Sequence, residues 1–105
     1  MTRKIEQEML KAIRERKNWK KDNTAVIQDE DCTHIYLYGH LIASIGFGRA
    51  GICMQGYNTR TTKSRLNAIL REIGAGIHTK NGTAVLTYPD GKEEEMNSVC
   101  NYFIS

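Results

Sequence analysis

The chain has 105 residues, 40% hydrophobic and 26% charged, with a net charge of +3; that length suits one domain around one core, and that balance excludes a disordered chain, which has fewer apolar residues and more net charge. No apolar run approaches the roughly 20 residues that span a bilayer, and the charged start Met1–Glu6 leads into no apolar signal segment. Three widely spaced cysteines, Cys32, Cys53 and Cys100, form no C-x-x-C pair and no disulfide framework, so free thiols are expected.

Residues 3–17 read as a helix. Ile5, Met9, Ala12 and Ile13 fall at i, i+4, i+7 and i+8 on one apolar stripe, Leu10 lies beside it, and Thr2 is the expected N-cap. Lys17–Asn23 reads as a polar connection around the only tryptophan, Trp19, which is expected to plug the core or a sheet edge. Short strands follow. The first is Thr24–Gln28, then an acidic turn at 29–31. His34–Tyr38 alternates, with Ile35 and Leu37 facing one way and His34, Tyr36 and Tyr38 the other. A tight turn at Gly39-His40 leads into Leu41–Ile45, where Leu41, Ala43 and Ile45 are expected to share a face opposite Ile42 and Ser44. A glycine-rich connection, Gly46–Gly51, precedes a strand at Ile52–Gln55. These connections are too short for parallel crossovers, so the strands predict an antiparallel meander.

The second helix is expected over about 62–73, where Leu66, Ile69, Leu70 and Ile73 form an i, i+3, i+4, i+7 stripe. Thr61 or Thr62 is the expected cap, and Gly74 sits where a C′ glycine belongs. Asn81-Gly82 predicts a type I′ hairpin turn joining 77–80 to 83–88. Pro89-Asp90-Gly91 is a second turn. Lys92–Met96 reads as an exposed acidic edge strand, and the tail Asn97–Ser105 as a short helix or a docked strand. The expected fold class is α+β: an antiparallel sheet, meander plus C-terminal hairpin, packed by two amphipathic helices. The expected order is α-β-β-β-β-α-β-β(-β), in one domain over residues 1–105.

Most candidate chemistry has a plainer reading. Cys32, His34 and His40, even with Cys53 and His78, lack the paired short spacing of zinc ligands. No G-x-S-x-G occurs. The acidic runs 29–31 and 93–95 read as solvated faces. Gly46–Gly51 contains G-x-G-x-x-G, but a strand is expected next, where a dinucleotide site needs a helix. No catalytic residue, metal or cofactor is expected, and the chain is not expected to be an enzyme.

Charge is laid out in blocks. Eight Lys/Arg against three Glu give residues 1–21 a net +5, and five against one give residues 59–80 a net +4. Both basic blocks coincide with expected helices. The segment with most binding potential is Asn58–Asn67. Thr59, Thr61, Thr62 and Ser64 bring hydroxyls, Arg60, Lys63 and Arg65 bring charge, and Arg71 extends the patch. At a helix start these suit a phosphate or another anion, hence nucleic-acid backbone or an acidic protein surface. The same residues also fit a well-capped helix with a solvated basic face. Tyr36, Tyr38 and Tyr57 are aromatic faces available near the patch.

The strand Tyr36-Leu37-Tyr38-Gly39-His40-Leu41-Ile42-Ala43, followed by Gly56–Leu70 with its T-x-T-T-K-x-R-L-N helix start at Thr59–Asn67, resembles small proteins of tailed bacteriophages and prophages. The resemblance covers about residues 18–88, with Tyr57 where many of that group have tryptophan. It carries over no catalytic residue. It implies a phage-type accessory protein acting in a bacterial cytoplasm, one that binds a host macromolecule and inhibits or redirects it. The expected partner is a host protein or ribonucleoprotein, a defence component among them. The alternative is a nucleic-acid-binding module that uses the basic corner at 59–71, with Tyr57, Thr59, Arg60, Thr61, Thr62, Lys63, Arg65 and Arg71 as its contact residues.

Overall fold

The amphipathic start of the chain folds as α1 (Lys4–Glu15), which buries Met9 and Ala12 and rests Leu10 and Ile13 on the margin of the core. The computed structural model describes residues 3–46, 49–56, 59–97, 99 and 101–104; the expected cap Thr2 lies outside them. Arg3 takes the N-cap position, and its backbone N–H donates to Glu6 Oε1 at 3.4 Å. At the other end Arg16 turns left-handed (φ 52°). Lys17 N–H then reaches the Ala12 carbonyl and Arg16 N–H that of Ile13, the paired bonds of a Schellman cap.

Five strands follow: β1 (Trp19–Lys21), β2 (Thr24–Gln28), β3 (Thr33–Leu37), β4 (His40–Gly46) and β5 (Arg49–Ile52). After α2 (Arg60–Arg71) come β6 (Gly76–Lys80), β7 (Thr83–Thr87), β8 (Glu93–Glu95) and β9 (Tyr102–Ile104). The fold is α+β, as expected, with two antiparallel sheets. One runs β1-β2-β3-β4-β5-β9, with the tail docked as its last strand, and the other runs β6-β7-β8.

The differences from expectation are local. The segment around Trp19 is a strand rather than a connection: a left-handed Asp22 (φ 52°) closes a tight turn that pairs Lys21 with Thr24 and Trp19 with Val26. Trp19 packs on the core from that edge. The β3–β4 hairpin turns at Tyr38-Gly39, not Gly39-His40. Both turn residues have positive φ (53° and 79°), and Leu37 pairs with His40, the geometry of a type I′ turn. In β4 the expected alternation fails at one place. Ile35 pairs with Ala43 but Tyr36 pairs with Leu41, so Ile42 bulges out of register. A bulge re-aims its side chain, and Ile42 and Ala43 are both buried. Strand β5 begins at Arg49, paired with Gly46, so the glycine-rich stretch is a hairpin; Phe47 and Gly48 lie outside the described residues.

Helix α2 starts two residues before the expected position. Thr59, extended at φ −106° and ψ 161°, is the N-cap, and its Oγ1 accepts from the Thr62 N–H at 3.2 Å. Thr61 and Thr62 lie inside the helix. Its end matches expectation. Gly74 is left-handed (φ 80°), Ala75 N–H donates to the Leu70 carbonyl, and Gly74 N–H to that of Arg71, which makes Gly74 the C′ residue. Asn81 and Gly82 form the expected turn between β6 and β7.

Both helices lie on one face of the large sheet. α1 rests on β1, β2 and α2, and α2 on β4 and β6. The paired row Val26, Ile35, Ala43 and Ile52 points into this layer and is buried with Leu66, Leu70 and Leu86. The adjoining rows, which include Tyr36, Leu41 and His34, face the other way. No helix among the described residues is long and apolar enough to cross a membrane.

Candidate functional site

Two stripes run along α2. Leu66, Ile69 and Leu70 point into the core. Arg60, Lys63, Ser64, Asn67 and Arg71 recur at i, i+3, i+4, i+7 and i+11, which places them on one face. This second stripe lines a groove of about 490 Å³ between the start of α1 and strand β6. Arg3 and Glu6 complete it on one side, and Ile77, His78 and Thr79 on the other.

Side chains of α2 fix both walls. Asn67 mimics a strand edge toward β6: its Oδ1 accepts from Ile77 N–H at 2.6 Å, and its Nδ2 donates to the Ile77 carbonyl at 2.9 Å. Those backbone groups point away from β7 and would otherwise lack a partner. Lys63 Nζ donates to Thr79 Oγ1 at 3.2 Å. Toward α1, Ser64 Oγ donates to Glu6 Oε2 at 2.5 Å, and Arg65 Nη1 donates to the same oxygen at 2.7 Å. Arg65 Nε also donates to Thr24 Oγ1 at 3.0 Å, tying α2 to β2. The Glu6 and Arg65 side chains are each only 4% exposed.

This arrangement sets the electrostatics of the groove. Its lining holds four cations, Arg3, Arg60, Lys63 and Arg71, against one carboxylate, Glu6. Buried Arg65 and groove-lining Ser64 already engage that carboxylate. The four cations thus line one polar cleft, where field lines concentrate. His78 borders the groove with its Nε2 3.5 Å from Glu93 Oε2.

The expected contact residues thus separate. Arg60, Lys63 and Arg71 come together in the groove. Thr59 is the cap, and Thr62 is buried with its hydroxyl 2.9 Å from that of Thr59. Thr61 is half-buried on the helix and does not line the groove. Arg65 points inward, into a buried ion pair. Tyr57 lies outside the described residues. Arg3, Ser64, Asn67, His78 and Thr79 belong to the groove and were not singled out as contacts from sequence. The polar periodicity 60/63/64/67/71 was a readable signal for the α2 members. Nothing local marked Arg3 or His78.

The remaining polar clusters have structural partners. His34 Nδ1 lies 2.8 Å from Ser44 Oγ across β3–β4, and its Nε2 is 3.5 Å from Asp29. The Asp29 carboxyl is held below its usual range by the Glu30 backbone N–H, then by His34. Tyr88 donates to Glu94 Oε1 at 2.5 Å, and that bond, with some burial, pushes its hydroxyl up to about 12. Cys53 is buried and Cys32 half-buried; Cys100 lies outside the described residues. Among the described residues no group of three or more His, Cys, Asp or Glu converges.

A family model described as Kyanoviridae Gp96 protein matches residues 2–104. The chain belongs to this phage family. The Kyanoviridae Gp96 match spans both sheets and both helices, and it agrees with the phage origin that the Tyr36–Ala43 and Thr59–Asn67 patterns implied. No curated protein and no solved structure matches the chain. In this Kyanoviridae Gp96 member, the T-x-T-T-K-x-R-L-N pattern has a structural account at most of its positions. Thr59 caps the helix by accepting from the Thr62 N–H, Lys63 reaches β6, Arg65 pairs with Glu6, Leu66 fills the core and Asn67 clips β6.

Proposed function

We propose that this phage protein is a binding module, not an enzyme, that engages host nucleic acid, free or within a ribonucleoprotein, through its phosphate backbone in the α1–α2–β6 groove. One observation carries the reading: Arg60, Lys63 and Arg71 of α2 and Arg3 at the start of α1 line one polar groove, and its one carboxylate among the described residues is engaged by a buried arginine. A polar, cationic, open groove suits a chain of phosphates better than a small apolar ligand, which calls for an enclosed apolar pocket. Occupying host nucleic acid in the bacterial cytoplasm would block or redirect whatever else uses it.

The test is binding of labelled oligonucleotide across a salt series. Contact by up to four cations predicts a log–log slope of about −3 to −4. Replacing Arg60, Lys63 and Arg71 with alanine one at a time should reduce that slope by about 1 each and weaken binding alike for all sequences. Salt-insensitive binding, or none at low salt, refutes the reading. A nuclease-resistant stoichiometric host protein recovered through the same three residues would replace it with an acidic protein partner.

A further inference from the structure

We infer that the bound nucleic acid is unpaired, with one base stacked on Tyr38 while the adjoining phosphates pass over Arg60 into the groove, an inference that rests on the polyanion reading above. Tyr38 is 68% exposed. It occupies the first position of a two-residue turn at φ 53°. Left-handed backbone disfavours a bulky side chain and favours asparagine or glycine. Tyr38 is also absent from the core cluster and from the residues packed against it. Neither the turn nor the core therefore accounts for an aromatic ring here.

Its location does. Tyr38 shares a cleft of about 230 Å³ with Thr59 and Thr62, and Arg60, the next residue after Thr59, lines the cationic groove. The cleft and the groove thus both border the first turn of α2. The two spaces differ in chemistry. The cleft beside Tyr38 has an apolar floor that includes Ile42 and Met54, whereas charged and polar side chains dominate the groove beyond Arg60. A flat, largely apolar base suits the first and a phosphate suits the second. Single strands are held by such a pairing of aromatic faces with a cationic track. A duplex keeps its base faces stacked and offers the ring backbone and base edges in place of a base face.

The experiment measures fluorescence anisotropy of the whole chain with three probes of equal phosphate number per strand, each about 12 nucleotides long, within the range that single-strand modules cover. The probes are an oligothymidylate, an abasic strand and a duplex. The variants are Tyr38→Asn, which suits the left-handed turn and so keeps the fold, and Tyr38→Trp, which keeps a stacking face. A thermal melt confirms that both remain folded. The expected result is tightest binding of oligothymidylate. Tyr38→Asn should weaken it about 5- to 150-fold, the usual loss for one stacked base, and leave the abasic strand unchanged. Tyr38→Trp should restore it. Equal affinity for the abasic strand and oligothymidylate, with Tyr38→Asn altering neither, overturns base stacking and leaves the groove reading standing. Preference for the duplex overturns it likewise. Failure of all three probes to bind at low salt removes both readings together.

Discussion

Replacing Glu6 with alanine strips a buried guanidinium of its only ion-pair partner among the described residues. Glu6 and Arg65 meet at 2.7 Å with side chains 4% exposed, so water cannot readily take the place of the carboxylate. Thr24 Oγ1 would remain on Arg65 Nε, but no other carboxylate among the described residues pairs with the guanidinium. Removing one partner of such a pair costs about 3–5 kcal/mol. A domain of this size has about 5–15 kcal/mol in total, so about a fifth or more of its stability is at stake. In urea, with a slope of about 1.5 kcal/mol per molar, the unfolding midpoint should fall by about 2–3 M. The double replacement Glu6→Met with Arg65→Met removes both charges, and its stability should recover most or all of the loss. A single-variant loss under about 1 kcal/mol, the range of solvated pairs, would refute the reasoning. It would mean that the pair opens to water and that Arg65 is available to the groove after all.

Three further outcomes follow from the same contacts. Asn67→Ala leaves the Ile77 N–H and carbonyl without partners; it should cost about 1–3 kcal/mol and speed hydrogen exchange at the Ile77 amide while α2 amides away from position 67 keep their protection. Thr59→Ala removes the cap of α2 and should lower stability by about 1 kcal/mol in denaturant titration, with Thr59→Ser near wild type. In an ultraviolet titration Tyr88 should ionise near 12 rather than 10.0. Because the folded value is the raised one, the bond to Glu94 contributes fully below about pH 10 and its contribution is lost as pH rises through about 12. Glu94→Gln should bring that hydroxyl back toward its ordinary range, and an unchanged titration curve would count against the bond.

Much of the fold was legible because its signals are local. The Leu66, Ile69, Leu70 stripe, the glycine at Gly74 and the Asn81-Gly82 turn each depend on residues within a few positions of one another. Two misreadings were failures of local preference. Tyr38 adopts a left-handed conformation better suited to asparagine or glycine, so the turn was expected one residue later. Thr59 caps α2 because it is extended where Thr61 and Thr62 are helical, a choice that equivalent hydroxyls in a row do not reveal. The bulge at Ile42 was illegible for another reason: register belongs to the pairing of β3 with β4, and alternation along either strand alone cannot show a shift between them.

The candidate site divides the same way. Sequence alone determined that this is an α+β chain with two basic, amphipathic helices, and that Arg60, Lys63 and Arg71 repeat along one helix face. The helical period fixes which side chains share a face before any tertiary contact forms. Only the tertiary structure decided what that face meets. It brought Arg3 from the start of the chain and His78 from β6 to the same groove, and it turned Arg65 from an expected surface cation into the partner of Glu6, 59 residues away in sequence. Whether a cation serves the core or the surface depends on the desolvated carboxylate opposite it, and neither segment by itself carries a record of that pairing.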